Sequence, residues 1–90
     1  MTPEQLARAE ALSRYLTARL RLEAAIEDEG AALRHWDSMS REWGPGPAVH
    51  AAWTLWARTM EVREREARAL GQATEELQDA MRATREVSRG

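Results

Sequence analysis

Five residues near the middle, Trp43-Gly44-Pro45-Gly46-Pro47, constrain this chain more than anything else in it. Pro45 lacks a backbone donor and holds Gly44 out of the helical region, and the glycines allow a sharp reversal. On either side lies a run of about forty residues without proline, rich in Ala, Leu, Arg and Glu, all strong helix formers. Two rods joined by one tight turn follow: helix 1 over about 3–43, a turn at 43–47, and helix 2 over about 47–88. At 1.5 Å per residue each rod is roughly 60 Å long.

The ends of the rods carry their own signals. Thr2-Pro3-Glu4-Gln5 places Thr at the N-cap, Pro at the first helical position and Gln three residues after the cap, a capping box. Pro47 suits the first position of the second helix. Gly30 is the soft point of helix 1, since a helix-interior Gly costs about 1 kcal/mol against Ala, and a kink or break is expected there if anywhere. Acid-before-base pairs four residues apart, such as Glu10/Arg14, Asp37/Arg41 and Glu61/Arg65, support helix by a few tenths of a kcal/mol each, as order-of-magnitude values.

Apolar residues recur at alternating spacings of three and four. In helix 2 the series runs Val49, Trp53, Trp56, Met60, Arg63, Ala67, Leu70, Thr74, Leu77, Met81, Thr84, Ser88. In helix 1 it runs Leu12, Tyr15, Arg19, Leu22, Ile26, Glu29, Leu33, Trp36, Ser40, Trp43. Such series are coiled-coil seams. Folding them together about the turn sets Trp36 against Trp56, Leu33 against Met60, Ile26 against Ala67, Leu12 against Met81 and Arg19 against Thr74. It also sets Glu29 opposite Arg63. A charge in a seam is costly alone but fixes register when paired, so Glu29 and Arg63 form a candidate register pair. The alternative is that both side chains reach past the seam to water. The fold class expected is all-α: an antiparallel coiled-coil hairpin forming one domain over 1–90, assembling into a four-helix bundle.

Two groups of residues exceed what a thin seam requires. Leu6, Leu16 and Leu20 fall near Ala73, Ala80 and Val87 toward the open end. Leucines beside small alanines suit close helix packing, so these six are the candidate self-association face, the alternative being helix-forming residues on a solvated surface. The four tryptophans, Trp36, Trp43, Trp53 and Trp56, gather at the turn. They either cap the tip or form a partner-binding tip, since Trp is enriched among interface hot spots.

The chemistry of catalysis is missing from the pattern. With no cysteine there is no thiolate site, and His35 and His50 have no second ligand three or four residues away. Gly44-Pro45-Gly46 lacks the spacing and the Lys of a phosphate loop. Neither an enzyme, a metal site nor a cofactor is expected. Thirteen arginines against fifteen acidic residues give a net charge of −2, with no basic stripe, which disfavours nucleic acid. No apolar run spans a bilayer, and Met1-Thr2-Pro3-Glu4-Gln5 has no signal-peptide character. A cytoplasmic protein is expected, with export lacking a cleaved signal as the other route.

Trp43-Gly44-Pro45-Gly46 is similar in placement to the turn of the small WXG-type substrates of type VII secretion, helical hairpins of comparable length. Pro45 stands where that motif carries Gly, and no Tyr-x-x-x-Asp/Glu occurs near the C-terminus. That resemblance implies a secreted hairpin working with a helical partner. In outline alone the chain also resembles the coiled-coil chaperones and stalk proteins of type III export. The function expected from the residues is a non-enzymatic interaction module, such as an assembly factor, chaperone or adaptor, acting as a homodimer or in a hetero-bundle.

Overall fold

The computed structural model describes residues 1–89, with side chains as far as Glu86. The described residues form two α-helices, α1 (Pro3–Trp43) and α2 (Pro47–Arg89), packed against each other, and no strand. The Cα trace measures 67 × 15 × 14 Å, a rod two helices thick.

Local chemistry sets the ends. The Gln5 N–H donates to Thr2 Oγ1 at 3.1 Å and the Thr2 N–H donates to Gln5 Oε1 at 3.0 Å, so two otherwise unpaired donors satisfy each other. α1 runs unbroken through Gly30. It stops at Gly44, whose φ of 66° and ψ of −171° lie in a region open almost only to glycine, while its N–H donates to the Ser40 carbonyl at 3.2 Å. Pro47 then begins α2, and the His50 N–H donates to the Gly46 carbonyl at 2.9 Å.

Three cross-helix contacts give the register. Trp36 stacks on Trp56 with ring centroids 5.8 Å apart, Glu29 lies 3.8 Å from Arg63, and Arg14 lies 3.2 Å from Glu76. As residue numbers rise along α1, their partners' numbers fall along α2.

The seam itself is built of small residues. Among the described residues the buried side chains are all alanine: Ala11, Ala18, Ala25 and Ala32 on α1, one every seven residues, and Ala52 and Ala73 on α2, three sevens apart. Between them lie half-buried larger residues: Tyr15, Leu22, Glu29 and Trp36 on α1, and Trp56, Arg63, Leu70 and Leu77 on α2. Alanine at every seventh position removes the side-chain layer that would hold two backbones apart, so the helices close on each other. Thr59, at a seam position of α2, donates its hydroxyl to the Trp56 carbonyl at 2.7 Å and so presents no unpaired polar atom.

This corrects half of the seam expected from residue size. Leu12, Arg19, Ile26 and Leu33 each sit one residue past a buried alanine and are exposed, as are Trp53, Ala67 and Met81 on α2. The expected meeting of Arg19 with Thr74 is likewise replaced: Arg19 pairs with Glu23 at 3.3 Å, and the Thr74 hydroxyl donates to the Leu70 carbonyl at 2.7 Å. The alternate positions Tyr15, Leu22, Glu29 and Trp36 are common to both registers. Rotating each helix by one residue, about 100°, brings the alanines in and turns the bulky residues to the flank.

The alanine seam makes an unusual expectation for substitutions. Ala25→Leu, although it adds apolar surface, is expected to destabilise the fold by about 1–3 kcal/mol because overfilling a closed seam forces the helices apart. Gly44→Ala is expected to cost about 1–3 kcal/mol through its backbone conformation alone. Urea unfolding followed by circular dichroism measures both.

Candidate functional site: an exposed apolar face and a charged layer in the seam

With the seam fixed, a heptad count places every other residue. Positions one and five residues after each seam alanine lie on one broad face of the rod, at right angles to the plane of the two helices. On α1 these are Leu12, Leu16, Arg19, Glu23, Ile26, Gly30, Leu33 and Asp37. On α2 they are Trp53, Ala57, Met60, Glu64, Ala67, Gly71, Thr74, Gln78 and Met81. Ile26 is 50% exposed and Trp53 48%, and Leu12, Leu16, Leu33 and Met81 are exposed as well. On the opposite side Arg14, Thr17 and Arg21 stand against Gln72 and Glu76 around a shallow hollow whose floor includes Ala18, Ala69 and Ala73. Leu55 and Val62 are exposed on that side as well, but more of the bulky exposed side chains lie on the first face, the apolar face of the rod.

The apolar face is continuous at the tip end. There Trp53, Trp56, Ala57 and Met60, with Glu61 and Glu64 at the margin, surround a shallow hollow of about 390 Å³. Along the rest of the rod it is interrupted by Asp37, Glu64, Thr74 and Gln78, and by a charge at the level of Arg19. The charge there is answered by Glu23 within the same helix.

The four tryptophans do not act as one cluster. Trp36 and Trp56 are half-buried and stacked in the seam, so they hold the tip together. Trp43 is 69% exposed at the end of α1, and Trp53 lies on the apolar face with the His50 ring centroid 6.2 Å away. The residues considered for self-association also separate. Leu6 and Leu20 lie on the outer edge of α1, away from α2, with Leu20 66% exposed. Leu16 belongs to the apolar face. Ala73 is buried and Ala80 half-buried in the seam between α1 and α2, so Ala73 is not available to a second chain. The Val87 side chain lies outside the described residues.

One layer of the seam is charged. Glu29 Oε1 accepts a hydrogen bond from Trp56 Nε1–H at 3.3 Å, and its Oε2 lies 3.8 Å from Arg63 Nε. That second separation is an ion pair but too long for a hydrogen bond, and Arg63 Nε is buried with no hydrogen-bond partner. Glu29 thus serves the stacked tryptophans and the arginine together. The bond to Trp56 was not visible in the sequence, because Trp56 is seven residues from Arg63 and only the folded rotamer brings its indole N–H down to the Glu29 level.

Among the described residues no group of three or more His, Cys, Asp or Glu side chains is placed to hold a metal ion. No helix among the described residues is long and apolar enough to cross a membrane. No family model matches the chain, and neither a curated protein nor a solved structure is significantly similar to it.

Removing Glu29 leaves the Trp56 indole N–H without its acceptor and Arg63 without its counter-charge, whereas removing Arg63 leaves Glu29 its bond to Trp56. Glu29→Ala is therefore expected to destabilise by about 1–3 kcal/mol and Arg63→Ala by less. A double-mutant cycle in thermal or urea unfolding is expected to give a coupling of about 0.5–1.5 kcal/mol, and additive single effects would show that the pair is not energetically linked.

Proposed function

We propose that this chain is a single-domain antiparallel coiled-coil hairpin acting in the cytoplasm as a non-enzymatic protein-interaction module, an assembly factor, chaperone or adaptor. One observation carries the reading. The intramolecular seam takes up alanines, while Leu12, Leu16, Ile26, Leu33, Trp53 and Met81 stand in solvent on one face. Bulky apolar residues gathered on one face of an otherwise highly charged chain mark a surface that another protein covers. Further support comes from shape. A helix face with bulky anchors beside small residues suits another amphipathic helix or helix pair, giving a four-helix bundle. The shallow hollow beside Trp53 and Trp56 suits a single apolar side chain better than a small-molecule ligand, which is held in deeper enclosure.

Photocrosslinking in the source cell tests this directly. A photoreactive amino acid at Leu33, on the apolar face, is expected to give discrete covalent adducts. The same group at Gln72, on the opposite face among Arg14, Arg21 and Glu76, is expected to give few. No enrichment at position 33 over position 72 would remove the basis of the reading.

A further inference from the structure

Resting on that reading, we propose that the occupant of the apolar face is a second copy of this chain, laid face to face with the two Trp tips at the same end. In this dimer α1 of each copy lies against α2 of the other.

The first argument is area. A globular monomer of this size exposes about 5,300 Å². This chain exposes 6797 Å², about 1,500 Å² more than that scaling gives. A standard complex covers about 800 Å² per partner, and obligate homodimers cover more. One apolar face of a 67 Å rod is of the size such a dimer buries. A short peptide or a single docked side chain would leave most of it open.

The second argument is self-complementarity. The register fixed by the Trp36–Trp56 and Glu29–Arg63 contacts places Leu33 level with Met60, Ile26 with Ala67, Arg19 with Thr74 and Leu12 with Met81. A two-fold axis parallel to the rod reproduces those levels between copies. Leu33 then meets the partner's Met60, Ile26 meets the partner's Ala67, and Leu12 meets the partner's Met81. The polar level matches as well: Arg19 meets the partner's Thr74, whose hydroxyl is already bonded to its own backbone, and keeps its ion pair with Glu23. Reversing one copy end for end breaks the match, because Arg19 then lies against Ile26 or Leu33 of the partner. A charge set against an apolar side chain in a closing interface is penalised.

Gly71 is consistent with this and has no explanation inside the chain. It is exposed in the interior of α2, and a Cβ there would meet nothing within 4 Å. A helix-interior glycine costs about 1 kcal/mol against alanine. In the tips-together dimer Gly71 comes opposite Glu23 of the partner, where the missing side chain leaves room for the Arg19–Glu23 pair.

The chain has no cysteine, so one introduced thiol labels it at a single place. Ser38→Cys, near the tip on the side opposite the apolar face, is spin-labelled and the label-to-label distance is measured by pulsed electron resonance. Tips together, the distance is expected to be about 20–30 Å. With one copy reversed it is expected to be about 50 Å, and that result overturns the arrangement. Sedimentation equilibrium of the unlabelled chain is expected to give twice the chain mass. Ile26→Glu, at a site exposed in the single chain, is expected to weaken dimerisation at least about tenfold with helicity retained. A wild-type chain that sediments at the single-chain mass at high concentration overturns the dimer. Adducts from position 33 to a different protein would in that case leave the interaction reading standing, and the absence of any adduct would remove both.

Discussion

The contact on which the rest of this structure depends is alanine against a facing helix at every seventh residue of α1. Ala11, Ala18, Ala25 and Ala32 are buried, and among the described residues no larger side chain is. Small residues allow close approach of backbones, and close approach leaves no space for bulk between them. The seam thereby decides what happens to every other apolar residue. Leu12, Ile26 and Leu33 each follow a buried alanine by one position, and the closed seam turns them outward. Bulk that would fill the core of a wider coiled coil becomes the surface of a narrow one.

The same narrowness explains the charged layer. A wide seam would bury a carboxylate and a guanidinium at high desolvation cost. In this thin rod Glu29 and Arg63 stay partly solvated, with side chains 21% and 39% exposed. Glu29 still reaches the indole of Trp56, which is stacked on Trp36. Register near the tip is therefore held by a polar contact and an aromatic stack together, while the alanine ladder, indifferent to a slip of seven residues, specifies it poorly. The polar layer selects among registers that the alanines alone leave close in energy.

Much of this was legible in the sequence, and the illegible part has a definite cause. The turn and both helix ends rest on proline, glycine and a capping box, whose effects are local and need no knowledge of packing. The levels at which residues of the two helices meet were also readable, because they follow from counting away from the turn. What could not be read was which of two adjacent residues points inward. Leu33 and Ala32, or Ile26 and Ala25, differ by about 100° on the helix, and weighting by hydrophobic size chose the larger each time. Burial on the close-packed side is decided by fit, and the alanine period of seven in α1 was the signal that favoured it. Ala73 was misassigned for the same reason: a residue read as a free surface belongs to the seam. The split of the tryptophans into a stacked pair and two exposed rings was likewise invisible, since it depends on the helix rotation that size misjudged.

The chain thus has two apolar surfaces of different kinds, one closed within the chain on alanine and one, of Leu, Ile, Met and Trp, that stands exposed and that we propose closes between two copies. The most direct test is the dependence of thermal unfolding on protein concentration, followed by helicity. If folding and dimerisation are linked, dilution removes stability by mass action. The midpoint is then expected to rise by several degrees across a hundredfold increase in concentration. A midpoint that stays constant over that range, in a chain that sediments as a single copy, would contradict it.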